Sequence, residues 1–178
     1  MATRKKTARK STKAAPKRAA ARKPPVKPIP DGYRSITPYL SIAGASAAID
    51  FYKKAFGAKE RMRMGGPDGK IGHAELVLGD SVVMLADEYA EMGFLSPKSH
   101  GGTPVTIHHY VKKVDEMVAR AVAAGATIKR PLKNEFYGDR VCTIEDPFGH
   151  IWHLATHVED LSKAEMRKRG EEAMKAGG

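Results

Sequence analysis

EDPFGHIWHLATH, residues 145–157, packs three histidines, one tryptophan and two acids into thirteen residues. Asp146, Pro147 and Gly149 stand at the first, second and fourth places of a four-residue turn, the places a type I turn favours for those residue types. The alternation that follows is that of a strand. His153 shares one face with Ile151 and Ala155, and Trp152 and Leu154 share the other. Trp152 reads as core. His150 closes the turn and His157 ends the strand, both with structural or surface roles. The histidine-rich stretch thus reduces to a turn, a strand and one histidine, His153, in position for chemistry.

Outward from that stretch the periodicity is regular. SITPYLSI (35–42) alternates as a strand, and SAAIDFYKKAFG (46–57) sets Ile49, Tyr52 and Phe56 at helical spacing before Gly57 stops the helix. AKERMRM, HAELVL and SVVMLAD follow as strands. The order then recurs: TPVTIHHYV (103–111) as strand, VDEMVARAVAAG (114–125) as helix, then ATIKR, RVCTIE and HIWHLAT as strands. Segments 89–102 and 131–138 read as loops. Ser162-Lys163-Ala164-Glu165 is a capping box opening a polar C-terminal helix. The fold class is α+β, two βαβββ units of similar length (33–90 and 103–158) in a domain spanning 33–158, with the helix in 159–178.

The net charge of +11 is unevenly spread. Residues 1–30 hold Arg4, Lys5, Lys6, Arg9, Lys10, Lys13, Lys17, Arg18, Arg22, Lys23 and Lys27 and no acid, and the other 20 basic residues are matched by 20 acidic ones. A formally neutral body therefore carries a polycationic segment, with 1–32 expected to be disordered for want of apolar surface. Eleven cations suit phosphate contacts, and no aromatic residue interleaves them, so nucleic-acid binding would be blind to sequence. No apolar run is long enough to span a membrane. With one cysteine, Cys142, no intrachain disulfide can form, which fits a reducing compartment. A cytoplasmic setting is the expectation, with nucleoid association as an alternative.

The two-module order, with ITPYLSI, IDFYKKAFGA, GHAELVLGDSVVMLADE, AVAAGATIKRP, FYGDR and EDPFGHIWHLATHVEDLS in sequence, resembles the vicinal oxygen chelate superfamily, which includes glyoxalase I, extradiol dioxygenases and bleomycin-resistance proteins. It resembles the PhnB-like branch most. The resemblance covers Arg34 to Met166. It implies curled sheets forming a central cup, a homodimer, and a small organic ligand in the cup. It also implies a metal held by one residue from the first and last strands of each module. Those positions are Thr37, Met84, Thr106 and His153. The family pattern has His, Gln or Glu there, and threonine and methionine are poor ligands for a divalent ion that prefers imidazole or carboxylate. No cofactor is therefore expected.

Within such a cup, His73 and Glu75 share the face opposite Ala74, Leu76 and Leu78, the better core residues. Histidine beside a carboxylate suits general acid–base work. Thr106, His108 and Tyr110 share a face in the second module, Tyr39 shares that of Thr37, and His109 reads as a packed, satisfied histidine. His73 and His153 are the expected proton-transfer groups, Glu75 their partner, and Tyr39, His108 and Arg140 ligand-positioning groups. For Arg140, pairing with a surface acid is the default reading and a bidentate contact to an anionic ligand the other. A non-standard zinc or iron site from His73, Glu75, His108 and His153 is a lesser reading. An enzyme-like protein with isomerase, lyase or transferase chemistry leads. The alternatives are a sequestration protein and a nucleoid protein acting through the basic segment.

Overall fold

A stripe of Ile49, Tyr52 and Phe56 buries one side of helix α1 (Ala45–Phe56), and Gly57 ends it with a φ of 68°, its N–H donated to the Lys53 carbonyl. A left-handed residue there costs glycine little. Around this helix the computed structural model, which describes residues 26–176, builds the first unit from β1 (Tyr39–Ile42), β2 (Lys59–Gly65), β3 (Ile71–Leu78) and β4 (Ser81–Asp87). The linker folds into a single 3₁₀ turn (Ala90–Met92) and the short helix α2 (Pro97–His100). The second unit comprises β5 (Thr106–Tyr110), α3 (Val114–Ala123), β6 (Thr127–Asn134), β7 (Asp139–Glu145) and β8 (Ile151–His157), with α4 (Lys163–Ala176) after it. No described helix is long and apolar enough to cross a membrane.

The strands form two four-stranded mixed sheets, ordered β1-β4-β3-β2 and β5-β8-β7-β6, neither closed into a barrel. β1 pairs parallel with β4 and β5 parallel with β8, and the remaining pairs are antiparallel. Each sheet turns one face to its helix, and α1 packs against α3. Ala74, Leu76 and Leu78 from β3 therefore join Trp152 and Leu154 from β8 in one apolar cluster spanning both units. The period-two alternation leaves His73 and Glu75 on the opposite face of β3, and His153 on the opposite face of β8.

The two units are joined at the quoted turn. Asp146 is 3% exposed, and its Oδ2 accepts the Tyr52 hydroxyl at 2.7 Å and the Trp152 indole N–H at 2.9 Å. Its Oδ1 accepts the backbone N–H of Phe148 and of His150 at 2.9 and 3.0 Å. Burial, and then the neighbouring Asp146, push the Tyr52 hydroxyl well above its ordinary pKa, which keeps it a donor.

Three expectations change. Residues 131–134, read as loop, extend β6, because Asn134 still pairs with Arg140 across a register shift that absorbs Pro131. β6 is an edge strand, where a proline without an N–H is tolerated. Segment 89–102 carries short helical turns and a Tyr89–Phe94 bridge. At α4, Ser162 Oγ accepts the Glu165 N–H as the capping box requires, but the Glu165 side chain receives Arg169.

Replacing Asp146 by alanine strands two fully buried donors, Tyr52 and Trp152, and should cost about 3–5 kcal/mol, at about 1–3 kcal/mol for each buried unsatisfied group. Tyr52→Phe should cost about 1–2 kcal/mol, since it removes donor and bond together. Urea unfolding monitored by Trp152 fluorescence measures both, and an Asp146→Ala cost below about 1 kcal/mol would contradict the keystone role of this carboxylate.

Candidate functional site

On the open face of the first sheet, Glu75 is 3% exposed although it faces away from the core. Tyr33 covers it and donates its hydroxyl to Glu75 Oε1 at 2.6 Å, and His73 Nε2 lies 3.3 Å from the same oxygen. Arg61 Nε stands 3.6 Å from Oε2, its guanidinium stacked 4.4 Å over the Tyr33 ring, yet Oε2 accepts no hydrogen bond. Burial acts to raise the Glu75 pKa. The Tyr33 and His73 hydrogen bonds and the Arg61 charge outweigh it and hold the carboxyl below its ordinary value. Beyond His73 the chain of contacts continues, for Nδ1 lies 3.0 Å from the Tyr39 hydroxyl.

These contacts carry a direction. An ionised Glu75 only accepts, so a neutral His73 must donate from Nε2. Nδ1 is then a bare acceptor, and the Tyr39 hydroxyl donates to it. Burial, with Tyr89 nearby, raises the Tyr39 pKa. Among the expected residues, His73, Glu75 and Tyr39 are thus brought together, and Met84 stands between them, in register with Tyr39 on one side and Glu75 on the other. Thr37 donates its hydroxyl to the Arg34 carbonyl at 3.2 Å.

The second sheet holds a separate group. His108 and His153 are in register across β5 and β8 with ring centroids 5.8 Å apart, and His108 lies 4.6 Å from the Tyr110 ring. Burial, the neighbouring His108 and Arg130 lower the His153 pKa. Buried Asp139 accepts the Tyr110 hydroxyl at 2.7 Å and His157 Nδ1–H at 2.7 Å, and His157 Nε2 lies 3.1 Å from Asp160. His157, read as a bystander, is held in this network, and the hydrogen bonds to Asp139 and Asp160 raise its pKa.

Tyr39 borders three hollows among the described residues, two of them larger than the third of about 310 Å³. One of about 510 Å³ lies along the seam between β1 and β5 and is bordered by Tyr39, Thr106, His108 and His150. Another, of about 450 Å³, is bordered by Tyr39, Gly72, Ala86, Tyr89, Met92 and Phe94. Tyr39, Thr106 and His108 therefore border one hollow. His150, read as surface or structural, is buried and spans the seam, 3.3 Å from the Ser41 carbonyl on β1.

Other residues go elsewhere. Arg140 takes its surface reading, a two-pronged pair with Asp115 of α3 at 2.6 and 2.8 Å, on the helical side of β7. Cys142 is fully buried, its thiol pKa raised by burial, and it donates to the Arg130 carbonyl at 3.2 Å. His109 packs beside Phe56 and Trp152 as expected, but its buried Nδ1 has no partner. Of the eleven cations, Lys27 is described, paired with Asp31 at 2.7 Å. The expectations for residues 1–25 lie outside the described residues.

The family's usual metal does not fit here. Thr37, Met84 and Thr106 offer no imidazole or carboxylate beside His153. The alternative set divides into His73 with Glu75 on one sheet and His108 with His153 on the other. Among the described residues no group of three or more His, Cys, Asp or Glu side chains is placed to hold a metal ion. Tyr33, Arg61, Asp139, Tyr89 and Phe94 were not anticipated as site residues. Acidic and aromatic residues flanking the expected strands were the available signal.

His153 should titrate below the ordinary histidine value of about 6.5, followed through its imidazole protons by NMR. Its neutral form is favoured by the fold, so its share of stability is complete above the unfolded value and is lost as pH falls below it. His108→Ala should move the midpoint upward. A midpoint at or above the ordinary value, or one indifferent to His108, would contradict this environment.

Comparison with known proteins extends the picture. Residues 40–154 match the sequence profile of the Glyoxalase/Bleomycin resistance protein/Dioxygenase superfamily. Uncharacterized protein Rv0887c of Mycobacterium tuberculosis is 43% identical over 136 residues, 75% of this chain and 80% of that one. The solved Arabidopsis thaliana At5g48480 product is similar over 69% of this chain and 98% of its own, with 28% identity and a TM-score of 0.56. TioX from Micromonospora sp. ML1 is similar over the same shares, with 26% identity and a TM-score of 0.54. With its two βαβββ units and a profile match from β1 to β8, the chain belongs to the glyoxalase, bleomycin resistance protein and dioxygenase superfamily.

Proposed function

We propose that this is a small-molecule-binding protein of the PhnB-like branch, enzyme-like, that transfers a proton on a ligand held against the open face of its first unit. The observation that carries the reading is the Glu75–His73–Tyr39 chain, a buried carboxylate behind a histidine behind a half-exposed phenol. A buried carboxylate fixes the imidazole tautomer and stabilises the imidazolium that forms on protonation. Thr106 and His108 border the same seam hollow as Tyr39, which supports a ligand that touches both units. Isomerisation and elimination both begin with such a proton transfer and need no redox partner.

Incubating the protein with a small-molecule extract, followed by mass spectrometry of bound and converted species, tests this directly. Conversion is expected, and His73→Ala should lower turnover by about 10²-fold or more while leaving Kd within a few-fold. Tight binding without conversion, unaffected by His73→Ala, would replace the enzyme by a sequestration protein.

A second proposal rests on the charge partition of the sequence. The eleven cations of residues 1–30 draw the protein to nucleic acid without sequence preference. DNA retention should fall with salt at a log–log slope of up to about −0.7 to −0.9 per contacted phosphate. Deleting residues 1–30 should abolish it. Equal retention by the shortened chain would place nucleic-acid binding on the neutral body instead.

A further inference from the structure

We propose that Tyr39, not His73, is the catalytic residue that meets the ligand, and that the ligand presents a planar ring to the hollow bordered by Tyr39, Tyr89, Met92 and Phe94. This inference rests on the proton-transfer reading above and assigns its reacting atom and ligand class.

Both ring nitrogens of His73 are engaged, Nε2 with Glu75 at 3.3 Å and Nδ1 with the Tyr39 hydroxyl at 3.0 Å. Neither is free to take a proton from a ligand. Exposure rises outward along the chain, from 4% for the Glu75 side chain to 24% for that of His73, and 44% for Tyr39. The member of the relay most open to a ligand is therefore Tyr39. In the step that follows, the ligand's acidic C–H or O–H bond breaks and its proton forms a new O–H bond on Tyr39. The original Tyr39 proton passes to His73 Nδ1. The ligand is left as an anion, and the imidazolium rests against ionised Glu75. Reversal of the same two transfers, at the same or a neighbouring ligand atom, restores the enzyme, so no co-reactant is required.

The hollow's lining defines the ligand class. Gly72 and Ala86 give the floor no side chain larger than a methyl group. Tyr39 and Phe94 meet edge to face with centroids 5.5 Å apart, making an aromatic corner, and Tyr89 and Met92 complete the wall. A flat floor with aromatic and thioether walls favours a planar ring, because ring edges and sulfur pack well against aromatic faces. A volume of about 450 Å³ suits a ligand of one or two rings. A ring conjugated to the reacting atom also delocalises the anion that the proton transfer creates.

4-Nitrophenol is a suitable probe, being planar, weakly acidic and coloured only when ionised. With the full chain, buffered just below the probe's own pKa, the bound probe should show the ionised absorption. Tyr39→Phe keeps the aromatic corner and removes the hydroxyl. It should lower the ionised fraction of bound probe about tenfold and weaken Kd by no more than about the same factor, and His73→Ala should do the same. Phe94→Ala should weaken Kd by roughly five- to tenfold. Ionisation retained in Tyr39→Phe but lost in His73→Ala would overturn the assignment to Tyr39 while sparing the role of His73. Ionisation retained in both would overturn the proton-transfer reading as well. No binding, or binding indifferent to Phe94→Ala, would overturn the ring assignment.

Discussion

A single buried carboxylate, Asp146, accepts four hydrogen bonds, and the arrangement of the two units follows from them. One donor, Tyr52, comes from the first unit's helix, and Trp152 comes from the last strand of the second. The two backbone donors hold the turn between β7 and β8. A buried carboxylate is expensive to leave without donors, and four donors inside an apolar shell make the alternatives costly too. The turn so fixed presents His150, whose ring lies against the Ser41 carbonyl of β1. Ser41 is two residues from Tyr39 on the same strand. A line of contacts thus runs from Asp146 to the seam where Tyr39, Thr106 and His108 border one hollow.

The open faces hold two further buried carboxylates, and comparing them explains why only one is assigned chemistry. Glu75 and Asp139 each accept a tyrosine hydroxyl and a histidine. The Glu75 histidine leads on to a half-exposed phenol beside three hollows. The Asp139 histidine leads on to Asp160, in the segment that precedes α4. There the Gly138 carbonyl accepts the N–H of Val158 and of Glu159. Gly138 has a φ of 94°, and a Cβ on it would stand 2.2 Å from the Glu159 carbonyl oxygen, so only glycine fits. That second network anchors the chain leaving β8, and its Tyr110 borders a hollow of about 360 Å³, whereas the first ends on a phenol that borders the hollows of about 510 and 450 Å³.

Much of this was legible in the sequence, for identifiable reasons. Period-two alternation in HAELVL placed His73 and Glu75 on the open face, and the same rule placed Trp152 in the core and His153 opposite. The turn chemistry of Asp146-Pro147-Phe148-Gly149 was readable, but not that its aspartate would also accept bonds from Tyr52 in the other unit. Such a contact, 94 residues apart, leaves no local pattern. Arg61 was missed because the β2–β3 register shifts between Glu60 and Met62, so simple alternation does not report its approach to Glu75. Tyr33 lies before the first strand, where no periodicity operates. The turn of Arg140 toward Asp115 depends on where α3 packs, which strand alternation alone does not give.

The central claim is a polar chain with a fixed direction, from the Tyr39 hydroxyl through His73 to Glu75. Long-range ¹H–¹⁵N NMR correlation of the His73 imidazole near neutral pH tests it most directly, because it distinguishes the two ring nitrogens. The account predicts a proton on Nε2 and an unprotonated, hydrogen-bonded Nδ1 whose ¹⁵N shift moves in Tyr39→Phe. A proton on Nδ1, or a tautomer mixture that ignores both Tyr39→Phe and Glu75→Gln, would contradict it.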